Sequence, residues 1–189
     1  MIQTQELKLY LIVVVVALIS WGLVRWNEER DVEMKIAENN LDFFSSGYYK
    51  KQMDSEGFAK NQLFADKMQH NKADGSTYLE KPVMNLYNNN GQSPWLIESA
   101  SGVLAADGDN LQLNGKALIS RAASGHNAAL TINTADLHVK LNSNYAETQA
   151  WADIISPPNN TSGTGMEVTF VSPIYLTLLS KVKGHYELH

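Results

Sequence analysis

Residues 111–141, LQLNGKALISRAASGHNAALTINTADLHVKL, decide the fold. Three segments inside them alternate apolar and polar residues: Leu111-Gln112-Leu113-Asn114-Gly115, Ala129-Leu130-Thr131-Ile132-Asn133-Thr134 and Leu137-His138-Val139-Lys140-Leu141. A period of two is that of a β-strand with one face buried, since successive side chains point to opposite sides of a sheet. The same alternation extends outward. Met166-Glu167-Val168-Thr169-Phe170 repeats it, and strands are predicted over Phe58–Met68, Thr77–Tyr87, Pro94–Leu104, Tyr145–Ile155 and Ile174–Leu188. Turn clusters separate them at Ala73–Ser76, Asn88–Gly91, Asp107–Asn110 and Pro157–Gly165. Short strands with such punctuation imply a sandwich, barrel or jelly roll.

A weaker pattern overlies the alternation. Ala65-Asp66-Lys67-Met68, Ala100-Ser101-Gly102-Val103 and Ala135-Asp136-Leu137-His138 start 35 residues apart. Each follows an alternating segment, which suggests a repeated two-strand unit stacked on its neighbours.

Ahead of the β region lies one apolar run, Leu9–Val24, with no charge over 16 residues. As a helix it spans about 24 Å, against about 30 Å for a bilayer core. Leu7 and Lys8 extend it, Lys8 can reach the interface, and Tyr10, Trp21 and Trp26 sit near its ends. A cleaved signal peptide is the competing reading; Glu6 offsets Lys8, and no A-x-A site follows the run. The expected organisation is a cytoplasmic tail over residues 1–6, a single transmembrane helix over 7–26, a juxtamembrane linker over 27–40 and one domain over 41–189. Arg25, Arg30 and Lys35 follow the helix, so flanking charge does not by itself place that domain outside. A short tail before the helix and a large domain behind it favour export.

The 189 residues carry a net charge of −5 and no cysteine. Glu6 and Lys8 cancel within residues 1–24, so residues 25–189 keep the whole −5. Phosphate backbones require a basic face, and nucleic acid is therefore excluded as a partner. Disulfides, thiol catalysis and cysteine-ligated metals are excluded as well. His70, His126, His138, His185 and His189 show no metal-ligand spacing, and His138 reads as solvated on a polar face. Asp107-Gly108-Asp109-Asn110 resembles the start of a calcium loop, but position 12 would be Leu118 rather than Glu. No Walker A, G-x-S-x-G or G-x-G-x-x-G motif occurs. The expectation is a protein that is not an enzyme and takes no cofactor or metal.

Alternation assigns an inward set. In the first half it is Leu79, Trp95, Ile97, Leu111, Leu113 and Ile119. In the second half it is Leu130, Ile132, Val139, Leu141, Val168, Phe170, Leu176, Leu178 and Tyr186. These form either a closed sandwich core or the lining of a slot between two sheets.

The order and spacing of several segments resemble the lipopolysaccharide-export LptC family over nearly the whole chain. They are Asp54-Ser55-Glu56-Gly57, Lys81-Pro82-Val83, Ser93-Pro94-Trp95, Asn110–Lys116, Thr161–Met166, and Lys181-Val182 with Tyr186 behind them. The resemblance implies an all-β fold, an open periplasmic β-jelly roll of two facing antiparallel sheets behind one inner-membrane helix. It implies a carrier that takes lipopolysaccharide from an LptB/LptF/LptG extractor and hands it to the periplasmic bridge protein LptA. It places Leu79 and Tyr186 near the bound lipid. It also makes Leu41, Phe43 and Tyr49 the edge facing the extractor, and Ile174, Tyr175, Thr177, Leu179 and Lys181 the edge facing LptA. The chain departs from the family at Ser156-Pro157-Pro158, where a glycine is common. Two other readings stay open: a membrane-tethered adaptor with no lipid contact, and an internal rather than an edge position for Ile174–Val182.

Overall fold

The computed structural model describes residues 41–87, 93–125, 128–171 and 173–186. The expected tail, membrane helix and linker of residues 1–40, and the expected turn Asn88–Gly91, lie outside the described residues. Within them every regular element is a strand, and no helix is long and apolar enough to cross a membrane. The strands are β1 (Leu41–Met53), β2 (Ala59–Asn71), β3 (Thr77–Glu80), β4 (Val83–Leu86), β5 (Trp95–Leu104) and β6 (Asn110–Arg121). They continue with β7 (Leu130–Ala135), β8 (His138–Lys140), β9 (Tyr145–Ser156), β10 (Asn159–Thr169) and β11 (Tyr175–His185).

All of them join one antiparallel ladder in chain order, with β3 and β4 sharing one rung and β7 and β8 another. The separate sheets expected from the sequence are thus continuous through hydrogen bonds. The ladder coils on itself. Trp95 of β5 meets Phe170, beyond β10, with ring centroids 5.2 Å apart, although several strands separate them in the sheet order. Lys50 on β1 donates to the Gly108 carbonyl, and Lys60 on β2 to the Asn142 carbonyl. The apolar side chains enclosed by this coil form one core.

A row of bends crosses the ladder and makes the coil possible. Lys81 (φ 48°) separates β3 from β4, Asp136 (φ 48°) separates β7 from β8, and Gly165 (φ 74°) kinks β10. The pairing register slips between Ser99 and Ser101, between Thr164 and Met166, and between Ser162 and Thr164. A bulge or break exchanges the face on which side chains land. β5 accordingly buries Trp95 and Ile97 before the bend but Gly102 and Leu104 after it. Likewise Ile132 and Thr134 give way to Leu137 and Val139. Two of the three segments spaced 35 residues apart lie inside single strands, β2 and β5, and the third spans the break between β7 and β8, so the repeat marks places where the buried face changes.

Backbone groups freed at the bends find partners. The Lys81 N–H donates to the Ala100 carbonyl, and the Asp136 N–H to the Gly115 carbonyl. The Gly115 N–H donates to Asp136 Oδ1 at 2.8 Å, Ser99 Oγ donates to the Asn114 and Lys116 carbonyls, and Thr148 Oγ1 donates to the Ala135 carbonyl at 2.6 Å. Asp136→Ala removes one such acceptor and puts alanine in the left-handed region. We expect a loss of about 1–2 kcal/mol, read as a lower urea midpoint, and a smaller loss for Asp136→Asn.

Two sequence expectations need correction. Pro157–Gly165 is not one turn; β10 starts at Asn159, because Thr161, Ser162 and Thr164 suit a strand even though the segment is polar. His138 is not freely solvated. It is half-buried, with Nδ1 3.2 Å from Glu147 Oε1 and Nε2 3.0 Å from Asn110 Oδ1.

Candidate functional site: an apolar core with an open mouth

The inward set converges on the interior of the coil. Leu79, Trp95, Ile97, Leu111, Leu113, Ile119, Ile132, Val139, Leu141, Val168 and Phe170 are buried core residues. Leu130, Leu176 and Leu178 are only partly buried, packed against that core. Tyr186 stands apart, 65 % exposed, its hydroxyl 2.9 Å from Thr161 Oγ1. Sequence reasoning missed Leu63, Met84, Leu86, Leu137 and Met166, which are at most 1 % exposed. The face exchange at Lys81 hid Met84 and Leu86.

At one end the core opens. A cavity of about 630 Å³ is lined by Trp95, Leu130, Ile154, Ile174, Leu176, Leu178 and Val182, with Thr161, Thr177 and Arg121 as its polar members. Strand ends build it: Trp95 opens β5, Arg121 closes β6 and Leu130 opens β7. The outer strand β11 closes one side with Leu176 and Leu178. The Arg121 guanidinium lies over the Trp95 ring, 4.6 Å from its centroid. Periodicity could have found Ile154, which lies within the alternating segment Tyr145–Ile155; nothing in the local sequence marks Arg121.

The two ladder ends expose large apolar groups. Among the described residues β1 pairs only with β2 and β11 only with β10. On the β1 side Leu41, Phe43 and Tyr49 are exposed, as is Phe44, which sequence reasoning passed over. Phe43 stacks on His70 at 4.6 Å and Tyr49 contacts Phe64 at 4.9 Å. On the β11 side Tyr175, Thr177, Leu179 and Lys181 are exposed, whereas Ile174 packs against the core. The segment Ile174–Val182 therefore stands at the edge of the described sheet, not inside it.

No group of three or more His, Asp or Glu stands close enough to hold a metal among the described residues. The polar clusters that occur are structural. Asp107 Oδ1 accepts from the Asp109 and Asn110 N–H groups, as a turn-capping aspartate does. Glu147 accepts a 2.9 Å hydrogen bond from the Tyr145 hydroxyl. That bond first, and His138 second, hold its carboxyl below the usual range. Burial, reinforced by Glu147, pushes the Tyr145 hydroxyl up to about 12. Asp42, Asp74 and Asp107 are depressed too, chiefly by hydrogen bonds from His70, Ser76 and the Asp109 backbone respectively. A carboxyl whose folded value is depressed stabilises the fold above its unfolded value, and that contribution is lost as pH falls through the folded one. The thermal midpoint should therefore stay level from pH 7 to about 5 and decline below about 4, the unfolded carboxylate range. Glu147→Gln should make that decline shallower, as measured by circular dichroism.

Three comparisons bear on this arrangement. Among curated protein sequences none matches the chain. Among solved structures the fold is similar to LptH from Pseudomonas aeruginosa, the LptA-homologous periplasmic component of a lipopolysaccharide transport device. The TM-score is 0.52 at 10 % identity, over 68 % of this chain and 95 % of that one, a likeness of fold. A family model for LptC-related lipopolysaccharide assembly matches residues 12–187, nearly the whole chain. The chain thus belongs to the LptC-related lipopolysaccharide-assembly family, and its work is lipopolysaccharide transport rather than catalysis.

Proposed function

We propose that this chain is a membrane-tethered relay. It receives lipopolysaccharide from an LptB/LptF/LptG-like extractor on its β1 side and passes the acyl chains along its core. It delivers them on its β11 side to an LptA-like bridge protein. Residues 7–26 hold it in the inner membrane, and residues 41–189 work in the periplasm. The observation that carries this reading is the open apolar mouth, continuous through Trp95 with the buried core. Each acyl methylene kept from water is worth about 0.8 kcal/mol, so a multiply acylated lipid requires such a path. The exposed edges β1 and β11 offer unpaired main-chain groups that a partner strand can take up.

A photo-crosslinking amino acid at Leu113, compared with one at Gln112, tests the relay in living cells. Leu113 is 1 % exposed and its neighbour Gln112 only partly buried. An adduct of lipopolysaccharide size at Leu113 but not at Gln112 supports passage through the core. Protein adducts alone would favour a second reading, a tethered adaptor without lipid contact. That reading draws on the tightness of the core, where Ile97, Leu111, Ile119 and Ile132 are 0 % exposed.

A further inference from the structure

We infer that Arg121 is an anion-binding residue at the mouth of the core, where it holds a phosphate of the lipid whose acyl chains lie along the apolar wall. The inference rests on the relay reading above and adds the residue that would position the charged end of the cargo.

Arg121 is the one charged side chain lining the cavity among the described residues. Its Nε is buried and has no hydrogen-bond partner. No carboxylate stands within ion-pair distance of it among the described residues. A guanidinium carries five N–H donors and no acceptor, and donors kept from water are normally satisfied. Here the Trp95 ring, 4.6 Å away, compensates only part of the charge and leaves the buried Nε–H without an acceptor. A guanidinium held against an aromatic ring can still give two parallel hydrogen bonds to one oxyanion. The surroundings state what else the ligand must carry. Leu130, Ile154, Ile174, Leu176, Leu178 and Val182 supply an acyl-binding wall on the same cavity. An oxyanion attached to acyl chains matches both features. Phosphate on an acylated sugar and the carboxylate of a free fatty acid share that chemistry, and the cargo of the relay favours the phosphate.

The test uses the full chain in cells, with the photo-crosslinker at Leu178 on the cavity wall or at Leu113 in the core. Arg121→Met keeps the apolar stem and removes the charge. We expect it to lower the lipopolysaccharide adduct at Leu178 by about tenfold, as loss of a charge-assisted bidentate contact would, with Arg121→Lys recovering part of the yield. Equal yields at Leu178 with arginine and methionine, while Leu113 still labels, would overturn the role of Arg121. No lipid adduct at either site in the unaltered chain would overturn the relay itself. A second arm lets lipid A, dephosphorylated lipid A or laurate compete for crosslinking at Leu178 in the purified full chain. Competition by lipid A alone supports the phosphate; equal competition by the dephosphorylated form, or competition by laurate alone, overturns it.

Discussion

Trp95→Ala should lower the thermal midpoint of the domain by roughly 10–15 °C. Trp95 is 2 % exposed, packs edge-on against Phe170 at 5.2 Å and carries Arg121 on its face. Truncating a buried tryptophan to alanine costs about 3–5 kcal/mol. The aromatic pair adds about 0.5–1.5 kcal/mol. Against a total stability of about 5–15 kcal/mol this is a large fraction, and each kcal/mol moves the midpoint of a domain of this size by about 2–4 °C. Trp95→Phe keeps most of the packing and should lose less than half as much. Trp151, 41 % exposed with its Nε1 donating to Asp153, serves as the comparison. Its replacement by alanine should fall near the surface norm of about 0.5 kcal/mol. A drop of similar size for both tryptophans, by circular dichroism, would refute the assignment of Trp95 to the packed core.

Gly165→Val should detach β11 while leaving the middle of the ladder intact. Gly165 has φ +74°, and a Cβ there would lie 2.9 Å from Leu179 Cδ1 and 3.1 Å from Leu179 Cβ. A side chain in the left-handed region costs about 1–2 kcal/mol, more when it is β-branched. Forcing extra atoms into a filled contact adds about 1–3 kcal/mol. Both penalties fall on the β10–β11 pairing, so hydrogen exchange should accelerate across Tyr175–His185 and change little in β5 and β6. Adding Leu179→Ala removes the contacts with Leu179 Cγ and Cδ1 but neither that with Cβ nor the backbone strain, and should restore only part of the protection. Uniform acceleration over all strands would show instead that the ladder opens as one unit.

Alternation along Leu111–Leu113, Leu130–Ile132 and Leu137–Leu141 sufficed to read the all-β class and most of the core, because burial on one face imposes a period of two. What it could not show was where that period changes face. The exchange at Lys81, Ser99–Ser101, Asp136 and Gly165 depends on backbone conformation, and aspartate or lysine in the left-handed region leaves no local signature. Met84 and Leu86 were missed for that reason. The start of β10 was missed because a polar strand at a sheet rim has the composition of a loop. Arg121 was illegible because its isolation depends on which strands surround it, and pairing order is a property of the whole chain. The family was legible without any of this, since it lies in the order of short segments such as Asn110–Lys116 and Thr161–Met166.

The chain-order ladder has a consequence for how the domain is made. Each rung hydrogen-bonds to the one before it, β3 with β4 and β7 with β8 counting as single rungs, so the sheet can lengthen as the polypeptide emerges, every new rung docking on the edge left by the last. Contacts between sequence neighbours close short loops and form early. Growth of this kind has no built-in terminus: the edge of β11 has the same form as the edges on which β5 or β9 were laid down. A strand from another molecule would be added by the same chemistry as a twelfth strand of the chain itself.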